Sequence, residues 1–453
     1  MTHRFALRGL LFCATLALPC ALAAADPSAT DDTHRDAFQQ IDWPMVPEAQ
    51  RASIVRGRSL VRQTWVIAPS LDPDIAGLGP TYNRPACISC HPRNGRGEPP
   101  ASPEEPMRSM LVRLSVPGRA PDGGPVPEPV YGDQLNEFGV PGVPGEGEAT
   151  IEWLTHEVTL GDGTPVELRR PRIAFRRLAH GPLAAGTMTS ARVAPPLFGV
   201  GLLEAVPESD LLAIAAEQKK SGRGIAGQPN RVWDIARNRA VIGRFGHKAN
   251  QPTVRQQIAA ALAGDMGITS SLFPAANCPP AQTACAAVRD THPELADDAL
   301  DAMTRYHHAL AVPAARRQDA AQVRHGRRLF ARAGCDGCHR PSLRTGRFPD
   351  FPALENRLIH PYTDLLLHDM GAGLADGRPD FEAGGRQWRT APLWGLGLLA
   401  TVNEHATLLH DGRARSALEA ILWHDGEARR SRDAVRRMTR REREALIAFL
   451  HSL

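Results

Sequence analysis

Residues 87–91 have the sequence CISCH, and residues 335–339 have the sequence CDGCH. Both stretches have the spacing C-x-x-C-H, which is the attachment signature of c-type haem. Two thiols at this spacing can add to the vinyl groups on one porphyrin edge, and the His that follows then lies under the iron as its proximal ligand. The sequence therefore predicts two covalently bound c-type haems, one held by Cys87, Cys90 and His91 and the other by Cys335, Cys338 and His339.

Two other kinds of site use paired C-x-x-C motifs. A zinc site needs its two pairs close together, whereas these pairs start 248 residues apart in the sequence. A thioredoxin-like dithiol requires only the two cysteines and gives no reason for a His after each pair. Haem attachment is therefore favoured over both alternatives.

Composition and charge limit the class of protein. A chain of 453 residues has room for two or three domains of roughly 100 to 200 residues each. Hydrophobic residues make up 42% and charged residues 23%, as in ordinary globular proteins. The net charge of +4, from 53 basic and 49 acidic residues, is too balanced for a nucleic-acid binder that works by phosphate neutralisation.

The N-terminus has the pattern of an export signal. Arg4 and Arg8 precede an apolar stretch at 9–18, and small residues suited to cleavage follow at 21–25. This pattern predicts a secretory signal peptide at 1–25, a periplasmic or otherwise exported protein, and no membrane span after cleavage. A retained N-terminal anchor is the alternative.

The cysteines outside the motifs fit an exported protein. Cys13 and Cys20 lie within the predicted signal peptide, and Cys278 and Cys285 lie in a Pro-containing loop. An oxidising compartment favours a local disulfide between the last two over a pair of free thiols.

Amphipathic patterns flank both motifs. Residues 47–65 and 321–333 predict a helix before each motif, and residues 298–310 and 434–453 predict a later helix in each half. The pattern from Ala302 to Leu310 recurs from Ala445 to Leu453 at a constant offset of 143. A helix before the attachment site and a helix at the end form the frame of a cytochrome c domain.

A second repeat is sharper. Residues 196–206 recur at 392–402, with seven of eleven positions identical. The glycines in this repeat predict a close backbone approach, either to a haem or to the other half of the chain. A tightly packed turn without cofactor contact is the plain alternative.

The first half is longer than the second and contains strand-like sequence. Apolar and polar residues alternate in part along 149–160, Gly161-Asp162-Gly163 predicts a turn, and 164–169 predicts the returning strand. Together they predict a β-hairpin. We therefore expect a mainly α fold made of two cytochrome c-like haem domains related by duplication, the first with a β-hairpin insertion. The expected domains are 26–315 and 316–453.

Further stretches match a known family. They are 77–83, 129–135, 246–257, 264–270, 362–371, 388–397 and 410–413. Through them the chain resembles the bacterial dihaem oxidoreductase or "putative peroxidase" family, also called thiol oxidoreductase-like. The second half is more distantly similar to dihaem cytochrome c peroxidases and MauG-type enzymes. The resemblance implies a peroxidase-like oxidoreductase.

The second axial position of each iron decides its chemistry, because an open position binds peroxide and a firm ligand makes an electron-transfer haem. Met370 is the preferred sixth ligand of the second haem, with core packing as its alternative. Met266 is a weaker candidate. His410 is the main competitor, although a His beside an Asp can also hold a turn.

Glu204 is the informative difference between the two copies of the repeat, because its counterpart is Ala400. Peroxide cleavage needs a group that moves a proton between the two oxygens. Glu204 is therefore the candidate catalytic residue, with an exposed or ion-paired carboxylate as the alternative. Trp388 and Trp394 are candidate electron relays or plain core residues.

These observations predict an exported dihaem c-type cytochrome oxidoreductase with one catalytic and one electron-transfer haem. Its expected partners are a small redox protein as electron donor or acceptor and a small-molecule oxidant such as peroxide, with no nucleic acid. The Arg-rich stretch at 429–443 is either a docking face for that protein or a solvated helix surface. The alternative function is a dihaem electron carrier without catalytic activity, linked by the family resemblance to periplasmic iron handling.

Overall fold

The computed structural model describes residues 29–288 and 293–453, so the predicted signal peptide at 1–25 lies outside the described residues. Within these ranges the α-helices are α1 (Glu48–Arg62), α2 (Cys87–Cys90), α3 (Val200–Glu204), α4 (Glu208–Lys220), α5 (Val254–Met266), α6 (Thr283–Val288), α7 (Asp297–His308), α8 (Ala321–Arg332), α9 (Leu399–Asn403), α10 (Ala417–Trp423), α11 (Arg429–Arg436) and α12 (Arg440–Leu450).

The strands of the described residues pair into small two-stranded sheets. They are β1 (Ala29–Thr30), β2 (Thr81–Tyr82), β3 (Met110–Ser115), β4 (Phe138–Gly139), β5 (Glu148–Thr159), β6 (Pro165–Arg176), β7 (Met188–Val193), β8 (Arg231–Asp234), β9 (Arg239–Ile242), β10 (Val312–Pro313), β11 (Leu343–Arg344), β12 (Leu358–Ile359), β13 (Leu367–Asp369) and β14 (Gln387–Arg389). β1 and β10 pair in parallel, and the other pairs are antiparallel: β2 with β4, β3 with β7, β5 with β6, β8 with β9, β11 with β12, and β13 with β14.

The expectation of a mainly α fold with two duplicated cytochrome c-like domains is wrong. Of the described residues, 32% are helical and 19% lie in strands or bridges, and they give no clear sign of a duplicated cytochrome c architecture. Many strands are only two or three residues long, which is too short for a period-2 pattern to be detected in the sequence. Their pairing is fixed by contacts between distant segments, such as Ala29 with Val312.

The predicted β-hairpin is confirmed and is longer than expected. β5 and β6 pair in antiparallel register from Glu148 opposite Arg176 to Thr159 opposite Pro165. Exposed and half-buried residues alternate along much of β6, as a strand with one solvated face requires. The predicted disulfide between Cys278 and Cys285 is also present.

Three of the four helices predicted around the motifs are confirmed, whereas the stretch at 434–453 is divided between the end of α11, at Arg436, and α12, which begins at Arg440. The helices cross in two close pairs. α1 packs on α7, where a Cβ added at Gly57 would lie 2.0 Å from the carbonyl oxygen of Ala302. α8 packs on α12, where a Cβ added at Gly326 would lie 1.9 Å from the carbonyl oxygen of Ala445. In both pairs glycine allows one backbone to touch the other.

The structure shows why the repeat at 196–206 and 392–402 contains glycines. Gly199 and Gly395 both have a φ of +72°. A Cβ at Gly199 would lie 2.4 Å from the Cζ2 atom of Trp394, and a Cβ at Gly395 would lie 2.5 Å from the Cζ atom of Phe198. The two copies therefore pack on each other, and the close approach is to the other half of the chain.

The halves also exchange backbone hydrogen bonds. The Val193 N–H, at the end of β7, donates to the carbonyl of His410 over 2.9 Å. In the reverse direction the Arg389 N–H, at the end of β14, donates to the carbonyl of His247 over 2.9 Å. The largest buried apolar cluster likewise includes residues of both repeats, among them Phe198 and Trp394. No helix in the described part of the chain is long and apolar enough to cross a bilayer.

Candidate haem site

One continuous cavity of about 490 Å³ lies between the halves, and both C-x-x-C-H motifs line it. Its volume falls in the range of cofactor and ligand sites. Phe198 and Trp394, the aromatic residues of the two repeat copies, lie in its wall. The motifs that the sequence places far apart therefore face the same space.

The first motif occupies a short helical turn, α2, followed by His91. The His91 Nδ1–H donates to the carbonyl of Pro195 over 2.7 Å, which leaves the lone pair on Nε2. Burial lowers the pKa of His91 to about 4, so the imidazole is neutral. A neutral imidazole with an oriented, unprotonated nitrogen is the form that binds iron.

The second motif begins in a 3₁₀ turn at Cys335–Gly337. The His339 Nδ1–H donates to the carbonyl of Tyr362 over 2.8 Å, so its Nε2 also carries the lone pair. Burial lowers the pKa of His339 to about 4. Both predicted proximal ligands are thus held in the same tautomer by a backbone carbonyl.

The four motif thiols are free. Burial raises the pKa of Cys87, Cys90 and Cys335 to about 12, and it also raises the pKa of Cys338. A redox dithiol needs a lowered pKa instead. The described residues do not gather the four thiols into one metal cluster; the candidate ligand group among them is Cys338, Asp364 and His368. Covalent attachment of haem to these free thiols stays a prediction.

Two arginines in the cavity wall, the buried Arg96 and the half-buried Arg389, fit the propionate groups of haem. Arg96 donates to the carbonyl of Leu409, and Arg389 donates to the carbonyl of Gly246. Neither forms an ion pair with a carboxylate in the described part of the chain, and burial lowers the pKa of each to about 10. The buried Nε of Arg96 has no hydrogen-bond partner. Since buried cations need anionic partners, the donor set fits haem.

The candidate sixth ligands all line the cavity. Met370 packs beside Trp388 in an apolar cluster, and Met266 is buried at the end of α5. The ring of His410 is stacked on Trp388 with centroids 3.6 Å apart, and its Nε2 lies 3.3 Å from Asp411. Coordination by any of them stays a prediction.

Glu204 does not line the cavity. Its Oε2 accepts a hydrogen bond from Val254 N at the start of α5, over 3.2 Å, and faces His308 Nε2 at 2.9 Å. The side chain is 12% exposed. These contacts position α5 and α7 relative to each other, and the catalytic role of Glu204 stays a prediction.

Trp388 and Trp394 both lie in the cavity wall. The Trp388 Nε1–H donates to the carbonyl of Leu374 over 2.9 Å, and Lys248 Nζ lies 4.5 Å from its ring centroid. Trp394 touches Gly199 of the other repeat copy. Both rings are core residues that also contact the site.

Three cavity residues were not found from the sequence. Gln257 on α5 lines the cavity, and no described residue forms a hydrogen bond with its side-chain amide. His307 on α7 lines it too, with its Nδ1–H donating to Met303 O over 2.7 Å. His424, directly after α10, lies with its ring centroid 6.5 Å from that of His339. Isolated Gln and His residues carry no spacing signal, so only the fold identifies them.

The family comparison agrees with the site. A family model described as "Di-haem oxidoreductase, putative peroxidase" matches residues 36–453. No curated protein matches the chain. A solved structure of Kuenenia stuttgartiensis hydrazine synthase, pressurized with 20 bar xenon, is 15% identical over 58% of this chain and 73% of that chain, with a TM-score of 0.28. A TM-score that low carries no argument about fold or function.

Proposed function

Because the chain belongs to the di-haem oxidoreductase, putative peroxidase family, we propose that it is an exported c-type dihaem enzyme that reduces peroxide beside the first motif. Hydrogen peroxide takes up two electrons and two protons, the O–O bond breaks, and two waters form. A small redox protein supplies the electrons through the second motif. The observation that carries the proposal is the single cavity lined by both C-x-x-C-H motifs.

The residues that would hold the cofactors follow from the site. Each pair of thiols would form thioether bonds with the vinyl groups of one haem, and the Nε2 atoms of His91 and His339 would bind its iron. Arg96 and Arg389 neutralise propionate charge. When bound, each haem supplies an iron centre that exchanges single electrons and accepts small ligands.

The first end of the cavity carries the polar groups that peroxide chemistry needs. The C-terminal end of α5 lies beside the first motif, since Asn83 N donates to Asp265 O over 2.7 Å. The free amide of Gln257 orients the peroxide by hydrogen bonding. The Nε2 of His307 has its lone pair available, because Nδ1 donates to Met303 O, and it accepts and returns a proton.

Electron transfer between the ends passes through the packed repeat copies. Trp394 and Phe198 lie in the cavity wall and contact opposite halves of the chain. Each ring packs on a glycine of the other repeat copy, so the two copies give a short path through the protein. This supports a role for Trp394 as a relay.

Export is supported by the disulfide. Cys278 and Cys285 are bonded to each other, while the four motif cysteines are free. Structural disulfides persist in oxidising compartments such as the periplasm, where c-type haems are attached. The signal peptide at 1–25 and the link to iron handling belong to the same proposal.

The test is peroxide turnover by protein produced with a periplasmic haem-attachment system. We expect two haem equivalents per chain, and consumption of one peroxide for every two electrons taken from a reduced small c-type cytochrome. Gln257→Ala should lower turnover without changing haem content. Two haems with no peroxide consumption would support the electron carrier instead.

A further inference from the structure

We propose that His424 is the second axial ligand of the iron at the second motif, and that Ala261, its counterpart at the first motif, leaves the first iron open. The inference rests on the proposed function, because it requires a haem at each motif. In this proposal the difference between His424 and Ala261 gives the two haems their different roles.

The first observation is the spacing of two imidazoles. The ring centroids of His339 and His424 lie 6.5 Å apart, with 43° between the ring planes. Metal–imidazole bonds of about 2 Å place two trans imidazole centroids on one metal roughly 6 Å apart. The two rings therefore already have the separation of a bis-imidazole site, with both residues in the cavity wall.

The second observation is the tautomer of His424. Its Nδ1 lies 2.6 Å from the carbonyl oxygen of Ala420, and a carbonyl can only accept, so Nδ1 carries the proton. This leaves the lone pair on Nε2, as at His339. Neither Nε2 has a hydrogen-bond partner among the described residues. Two oriented, unpartnered nitrogens lining one cavity form a ligand pair.

The competing ligands are otherwise engaged. The His410 ring is stacked on Trp388, and its Nε2 lies 3.3 Å from Asp411. Met370 packs in the apolar cluster around Trp388 and Trp423. Neither pairs with His339 as His424 does.

The third observation is that α5 and α10 begin in the same way. An isolated antiparallel bridge joins Phe245 to Gln251 before α5, and another joins Leu408 to Ala414 before α10. The side chain of the N-cap residue Thr253 accepts from the third amide of α5, and that of Ser416 does the same for α10. All of these pairs share an offset of 163 residues.

The same offset relates the cavity-lining positions of the two helices. At i, i+3, i+4 and i+7 the cavity is lined by Val254, Gln257, Ile258 and Ala261 in one half and by Ala417, Ala420, Ile421 and His424 in the other. His424 thus corresponds to Ala261. A methyl group cannot coordinate iron, so the position that His424 holds in the second half offers no ligand to the first haem.

The loss-of-ligand test uses a Cys87→Ser/Cys90→Ser background, which isolates the second haem. In the oxidised protein we expect a low-spin electron paramagnetic resonance spectrum. The absorption spectrum should lack the near-infrared band of Met ligation. His424→Ala should convert it to high spin, and added imidazole should restore low spin. Met370→Ala and His410→Ala are the matched controls and should leave it low spin.

Each outcome decides one question. A low-spin spectrum that survives His424→Ala, with one haem still bound, overturns the ligand assignment. Loss of low spin in either control variant would overturn it in favour of that residue. A background protein without any covalent haem would instead refute the proposed function. His424→Met provides a second check, because thioether ligation should keep low spin while raising the reduction potential.

The gain-of-ligand test uses the full dihaem protein. Ala261→His should add a second low-spin signal and abolish cyanide binding at the first haem. Ala263→His, on the same helix but outside the cavity wall, is the control and should leave cyanide binding intact. Unchanged cyanide binding in the Ala261 variant, with two haems present, would overturn the assignment of Ala261 as the open position.

Discussion

The two ends of the cavity are lined by helices α5 and α10, which begin in the same way but present different side chains. At the first end α5 and α7 present Gln257, Ala261 and His307; at the second end the corresponding residues are Ala420, His424 and Leu450. At the first end two polar side chains accompany the small Ala261, whereas at the second end two apolar side chains accompany the imidazole of His424. In the proposed function, these few positions on α5, α7, α10 and α12 divide the roles of the two ends.

The backbone devices that hold the ends together are the same in both. Gly199 and Gly395 have equal φ values and each packs on an aromatic ring of the other copy. Gly201 approaches the backbone of His308, and Gly397 approaches that of His451, again with equivalent partners. The packing contacts of these glycines are alike in the two repeat copies, whereas the residues that line the two ends of the cavity differ.

Removing either motif should have the largest effect. Cys87→Ser/Cys90→Ser should leave one haem and abolish the reaction with peroxide. Cys335→Ser/Cys338→Ser should also leave one haem, retain a peroxide-induced spectral change and lose turnover, because electron delivery is cut. Haem content and stopped-flow absorption measure both effects. Two haem equivalents in either variant would contradict the motif assignment.

His307→Leu makes the first end resemble the second. Turnover should fall roughly 10²- to 10⁴-fold, the usual cost of losing a general acid–base group. Haem content and both spin states should stay the same. The control is His451→Leu, an exposed histidine outside the cavity wall. Equal turnover in the two variants would assign proton transfer to another group.

Glu204→Gln tests the asymmetry seen in the sequence. Its contacts with Val254 and His308 predict a positioning role. The fall in turnover should therefore be well below the roughly 10²- to 10⁴-fold expected of an acid–base catalyst, and the rate should depend on pH as before. A loss within that range, with an altered pH profile, would support the catalytic role predicted from the sequence.

Gly199→Ala should affect stability more than activity. The added Cβ would lie 2.4 Å from Trp394, and the residue has positive φ. Overpacking of this kind costs about 1–3 kcal/mol of unfolding free energy, in addition to about 1–2 kcal/mol for the left-handed conformation. Gly222→Ala has positive φ but open space, so it measures the second cost alone. If both variants lose the same unfolding free energy in denaturant titrations, the contact between residue 199 and Trp394 has room for the added methyl group.

Local patterns carried the parts of the structure that were predicted. The motifs, the flanking helices, the hairpin and the Cys278–Cys285 disulfide each depend on residues near one another in sequence. The fold class was wrong because strands such as β1 and β10 join segments at opposite ends of the first half and have no local pattern. The division of the chain at 315 stays a prediction.

The two motifs that line the cavity were found from the sequence, whereas other cavity residues were missed. C-x-x-C-H is a spacing signal, whereas His424 and Gln257 are single residues whose meaning depends on α5 and α10 starting alike. These helices share few residues, and their equivalence lies in a bridge and an N-cap hydrogen bond. Arg96 and Arg389 were missed because a buried arginine cannot be told from a surface one in sequence.

The crossed hydrogen bonds between Val193 and His410 and between Arg389 and His247 make assembly of the molecule interdependent. Neither end of the cavity has a complete wall until each half has formed these hydrogen bonds with the other. Chain synthesis proceeds from the N-terminus, so the first end of the cavity stays open to solvent until residue 410 is available. Haem could therefore reach the first motif before the segment around His410 closes the cavity.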